Sequence, residues 1–116
     1  MTTDPATLES IVDKVGEHVP VWTRPFFGGT GLVCDDVQFA MVMGDTAYLV
    51  VDELTRPRFE AAGSEPFSYL TGRGLVTVGR YHSLPATVLH DPEVLRHWID
   101  EAIRVARRKP AKARPR

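Results

Sequence analysis

Between Leu32 and Val51 the chain carries three apolar, β-branched-rich runs, Leu32–Cys34, Val37–Met43 and Ala47–Val51, and only Asp35-Asp36 and Gly44-Asp45-Thr46 separate them. Breaks this short join antiparallel neighbours, because a parallel connection needs a crossover of about a dozen residues. The spacing therefore excludes a doubly wound parallel sheet for this stretch and predicts a meander. Gly44 meets the positive φ of a tight hairpin more readily than Asp36 does, so the second turn is the better signalled.

The flanking segments switch between two periods. Asp4 is a cap and Pro5 a first helical residue, and Leu8, Ile11, Val12 and Val15 recur at helical spacing up to a stop at Gly16. Val21–Phe27, rich in aromatic and β-branched residues but interrupted by Pro25, predicts an edge or bent strand, with a bend at Gly28, Gly29 and Gly31 and with Phe27 and Phe39 in the core. Leu54–Ala62 predicts a short helix, capped by Asp52 or Thr55, anchored in the core by Phe59 and ended by Gly63. Gly63-Ser64-Glu65-Pro66 then leads from helix to strand.

Phe67–Leu70 and Leu75–Tyr81 read as a hairpin across Thr71-Gly72-Arg73-Gly74, and Pro85 to His90 as a loop. Asp91-Pro92 opens a final helix with a stripe of Leu95, Trp98, Ile99, Ala102, Val105 and Ala106, which Pro110 must stop. The fold class expected is α+β: helix, antiparallel meander, helix, hairpin and C-terminal helix. The expected organisation is one domain over residues 1–109 and a basic, disordered tail over 110–116.

Charge is divided between these parts. The formal net charge is −1, from 14 Lys+Arg against 15 Asp+Glu, but residues 104–116 hold seven basic side chains and no acid. Seven basic side chains remain against fifteen acids in residues 1–103, a formal −8. Arg107, Arg108, Lys109, Lys112, Arg114 and Arg116 could neutralise phosphates in sequence-blind nucleic-acid attachment, fold back on the acidic body, or serve as a solubilising tail. No aromatic interleaves them, so base stacking is not implied. No window carries the roughly 18 apolar residues of a membrane span, and no leader pattern opens the chain, so a cytoplasmic protein without membrane contact is expected.

The residues with chemistry in them form no recognisable centre. Gly28-Gly29-Thr30-Gly31 lacks the following helix and the third glycine of a dinucleotide fingerprint. Cys34 adjoins Asp35 and Asp36, which disfavour a thiolate, and His18, His82, His90 and His97 never pair at i, i+4. His82 is read as a solvated or satisfied histidine. No catalytic, metal-binding or cofactor-binding residue is assigned. A small enzyme with a pocket near Tyr81-His82 and the glycine bend is the least favoured alternative.

Arg24-Pro25-Phe26-Phe27-Gly28-Gly29-Thr30-Gly31-Leu32, followed by Phe39-Ala40 and Tyr48-Leu49, resembles the N-terminal domain of the TfoX/Sxy family. So does Phe59-Glu60-Ala61-Ala62-Gly63-Ser64-Glu65-Pro66-Phe67, then Tyr69, and the closing helix from Asp91-Pro92-Glu93 through Leu95 and Trp98. The blocks keep their order over about residues 8–107. Phe26 stands where that family usually has Met, and Asp36 where it usually has Gly. The resemblance implies a secretion-chaperone-like α+β fold and a non-enzymatic regulatory role linked to transcription or competence, here in a stand-alone domain without the helical second domain. A protein partner, or self-association through a sheet edge or helix face, is the expected mode of action. Arg24 is expected to hold an acidic residue or a carbonyl near the glycine bend.

Overall fold

The computed structural model describes residues 2–108. Helix α1 (Pro5–Gly16) begins where expected: the Asp4 carboxylate accepts from the Thr7 N–H at 3.0 Å and the Thr7 hydroxyl at 2.8 Å, and Pro5 fills the first turn. Ile11 and Val15 are its buried face. The segment before it is tied to the sheet by two backbone bonds, Asp4 N–H to Gly44 O at 2.8 Å and Gly44 N–H to Thr2 O at 2.6 Å. Nothing in the residue pattern announced that tether.

Four strands follow as a meander: β1 (Trp22–Phe26), β2 (Gly29–Cys34), β3 (Val37–Met43) and β4 (Thr46–Val50), each antiparallel to the next. All three turns have two residues, Phe27-Gly28, Asp35-Asp36 and Gly44-Asp45. The positive φ at the middle turn falls on Asp35 (56°) and not on Asp36, so both predicted hairpins close. In the first turn Phe27 (48°) and Gly28 (83°) are both positive, the signature of a type I′ turn. Gly28 alone makes the bend, and Gly29 and Gly31 lie inside β2.

After α2 (Arg56–Ala61), ended by Gly63 at φ +85°, come β5 (Pro66–Thr71) and β6 (Gly74–Ser83). Strand β6 pairs with β4 only over Tyr81–Ser83, whereas β5 runs along its other side, pairing with Gly74–Val78 and, past an irregularity, with His82 through Pro66. The six strands run in the order β1-β2-β3-β4-β6-β5, all antiparallel. Because the outer half of β6 has only β5 beside it, the β5–β6 hairpin stands out from the sheet as a wall. The stretch predicted as loop, Pro85 to His90, holds a single helical turn, α3 (Ala86–Leu89), because Pro85 at its cap is compatible with a helix start. Helix α4 (Pro92–Arg107) is capped by Asp91 and buries the whole predicted stripe plus Ile103. Pro110 and the predicted tail lie outside the described residues.

One face of the sheet, through Leu32, Ala40, Val42, Leu49 and Val51, packs against α1, α3 and α4 as the main core. Phe59 reaches into it from α2, its ring 4.5 Å from that of Trp98. Phe39 is fully buried there, whereas Phe27, predicted in the core, is 85% exposed. The hairpin turn that fixes its backbone at positive φ also holds its ring beyond the sheet.

Candidate functional site

The opposite face of the sheet carries most of a second apolar cluster, Met41, Met43, Val50, Phe67 and Tyr81, which Val105 of α4 joins and against which Phe26, Tyr48 and Val78 pack. It forms the floor of a groove of about 740 Å³ between the β1–β2 turn (Phe26, Phe27) and the β5–β6 wall (Phe67 to Leu70, Leu75, Val78). That volume and lining fall in the range of binding clefts, which are mostly apolar with a few fixed polar groups. The rim is unusually greasy: Phe27, Leu70 and Leu75 are 85%, 79% and 65% exposed.

Two glycines and one bulge make this face possible. A Cβ on Gly29 would lie 2.3 Å from Met43 Sδ and 2.7 Å from Val42 O; one on Gly31 would lie 2.3 Å from Gln38 Oε1. The missing side chains of β2 are thus the space into which Met43 and Gln38 lie down. Pairing slips by one residue between Leu32 and Val33, leaving Phe39 without a partner on β2. The bulge brings Gln38 onto the groove face beside Met41.

Lying across Gly31, the Gln38 amide links two strands that do not touch. Its Oε1 accepts from Arg24 Nε at 2.9 Å, and its Nε2 donates to the Tyr81 hydroxyl at 3.1 Å. Arg24 therefore holds a side-chain carbonyl near the bend, and not an acid. Burial pushes the Tyr81 phenol up, outweighing the Gln38 bond and the Arg80 and Arg24 charges, so the groove holds a neutral hydroxyl.

The residues singled out from the sequence divide between two places. Arg24, Phe26, Phe27, Gly29 and Gly31 meet at the groove, with Gly28 in its turn. Phe59, Gly63, Glu65 and Pro66 do not line it: Phe59 is core, Gly63 ends α2, and Glu65 and Pro66 lead into β5. Ser64 and Ser83 fix that junction, Ser64 Oγ donating to Ser83 O at 2.5 Å and Glu65 N–H to Ser83 Oγ at 3.0 Å. Gln38, Met41, Met43, Leu70 and Leu75 were not anticipated. The unbroken apolar run Phe39–Met43 was the available signal, since a strand buried on both faces loses its alternation.

His82 is neither solvated nor satisfied. It is 1% exposed, faces away from the groove toward Phe59 at 6.2 Å, and its Nδ1 has no hydrogen-bond partner. Burial pushes its pKa down, Glu60 opposing and Arg56 adding to the effect. Burial also pushes the Cys34 thiol up, and Asp35 adds to that, which makes it a poor nucleophile. Among the described residues no cluster of three His, Cys, Asp or Glu side chains could hold a metal ion.

Of the basic C-terminal set, Arg107 bonds to the Asp35 carboxylate at 2.7 Å and Arg108 to that of Asp52 at 2.9 Å, both near the surface. Burial raises the Asp52 pKa, but the Thr55 and Leu54 N–H groups, Arg108 and the Thr55 hydroxyl overcome that and hold it below the usual range. Lys109, Lys112, Arg114 and Arg116 lie outside the described residues. No helix of the described residues is long and apolar enough to cross a membrane.

An open antiparallel sheet with helices on one face and an apolar groove on the other defines an α+β domain whose built feature is a binding surface. Residues 13–106 match the TfoX N-terminal domain, and the chain belongs to that family. A search of curated proteins finds no match.

Proposed function

We propose that this chain is a non-catalytic regulatory domain that acts by protein contact, and that the groove is its contact surface. The observation that carries the reading is the groove itself: a cleft of about 740 Å³ whose floor is Met41, Met43 and Tyr81 and whose rim exposes Phe27, Leu70 and Leu75. A surface patch this apolar is costly to leave in water and marks an interaction site. The enzyme alternative is weaker on geometry, because His82 lies on the other side of the sheet from the groove and Tyr81 on the groove floor is a neutral phenol. Membership of the TfoX N-terminal domain family supports a regulatory role in transcription or competence without fixing the partner.

A second reading, nucleic-acid attachment through Arg107, Arg108, Lys109, Lys112, Arg114 and Arg116, competes with the ion pairs that Arg107 and Arg108 make to Asp35 and Asp52. Those pairs favour the alternative in which the basic end is held against the acidic body. The test of the first reading is site-specific photo-crosslinking in native lysate from position 75, in the groove, and from position 54, outside it. Protein crosslinks from 75 and none from 54 are expected. Equal yields from both positions would remove the groove from the account, and nucleic acid recovered only while residues 107–116 are present would favour the second reading.

A further inference from the structure

We propose that the groove is filled by a second copy of this chain, in an isologous dimer in which Phe27 of each protomer enters the groove of the other. The inference rests on the groove being a protein-contact surface and names its occupant. It starts from a cost. Phe27 sits at φ 48°, where a bulky L-residue is disfavoured and where Asn or Gly would be the usual choice before Gly28. The turn nevertheless places an aromatic ring there, on the rim of the groove and 85% exposed. A strained, solvated aromatic at the tip of a hairpin is a side chain shaped for insertion, and aromatic anchors dominate interface energetics.

The receiving cavity lies beside the anchor. When knob and hole belong to one surface patch, the patch is complementary to itself, which is the requirement of a two-fold interface. Size agrees. The exposed parts of Phe27, Tyr69, Leu70 and Leu75 amount to roughly 500 Å², taking ordinary side-chain areas. A standard interface takes about 800 Å² from each partner, near 60% of it apolar, so the patch matches the apolar share of one such interface. The alternative route, strand addition at the β1 edge of the sheet, is impeded by Pro25.

Sedimentation equilibrium of the full chain and three variants tests this. The full chain is expected to sediment as a dimer at about 100 μM, above the micromolar dissociation constants at which interfaces of this size begin. Phe27→Asn, which suits the turn and so keeps the fold, removes one anchor from each protomer and should weaken dimerisation about 1,000-fold, about 30-fold for each of the two hot-spot aromatics. Leu70→Asp should weaken it at least as much, and Leu54→Asp, an exposed leucine away from the groove, should leave it unchanged. A monomeric full chain, or a Phe27→Asn dimer as tight as the parent, overturns the proposal. If a monomeric chain still crosslinks to another protein from position 75, the second copy is the wrong occupant and the contact surface stands. If it is monomeric and crosslinks to nothing, both readings fall.

Discussion

Gly31→Ala offers a test of the groove's construction in which the sign of the effect depends on a second residue. An added Cβ would lie 2.3 Å from Gln38 Oε1 and 2.5 Å from its Cδ, so the amide has to move. Moving it breaks the bonds to Arg24 and Tyr81, each contributing about 1 kcal/mol net. Against that loss, glycine inside a strand is about 0.5–1 kcal/mol less favourable than alanine, so the expected balance is a destabilisation of about 1 kcal/mol. With Gln38→Ala already in place the obstruction and both bonds are gone. There Gly31→Ala should be stabilising by up to ~0.5–1 kcal/mol. Urea denaturation of the four proteins in this cycle measures the coupling, expected at about 1.5–2 kcal/mol. An equal cost of Gly31→Ala in both backgrounds would show that Gln38 does not occupy the space over β2.

Gly29→Ala should be harsher and not rescued by trimming Met43, because its Cβ also meets the Val42 carbonyl at 2.7 Å and backbone cannot swing aside; chemical denaturation of the Gly29→Ala/Met43→Ala pair checks this. Phe27→Asn should stabilise the monomer by about 1 kcal/mol by relieving the positive φ, measured at concentrations below dimerisation, and a destabilised monomer would contradict the strain argument. His82 gives a pH dependence with a defined sign. Its folded pKa is lowered by burial, so as pH falls through about 6.5 the unfolded chain takes up the proton first. Its contribution is therefore complete above that pH and lost progressively below it. His82→Gln should flatten this part of a stability–pH curve, and an unchanged slope would refute the assignment.

The fold was legible wherever local chemistry decides structure. Breaks of two and three residues dictated antiparallel pairing, Asp4-Pro5 and Asp91-Pro92 started helices, and the Leu95–Ala106 stripe declared its buried face. The groove was harder to read because it is made by residues that meet only through register. Gln38 reaches Tyr81, 43 positions away, only because Phe39 bulges and Gly31 lacks a side chain. Leu70 and Leu75 look like ordinary hairpin residues until the short pairing of β6 with β4 leaves them in solvent. Phe27 misled for the same reason: apolar character predicts burial, but turn geometry, which the following glycine encodes, overrode it. His82 alternates correctly along its strand, and no local pattern reveals that its ring nitrogen ends without a partner.

Two of the chain's three methionines, Met41 and Met43, allow the central claim to be examined without any substitution, since both lie on the groove floor. Methyl resonances of methionine-labelled full-length protein, followed from low to high concentration, report directly on whether the groove becomes occupied. The Met41 and Met43 methyls should shift or broaden together as protomers associate. Concentration-independent Met41 and Met43 signals, in a chain that nonetheless associates, would place the contact elsewhere on the molecule.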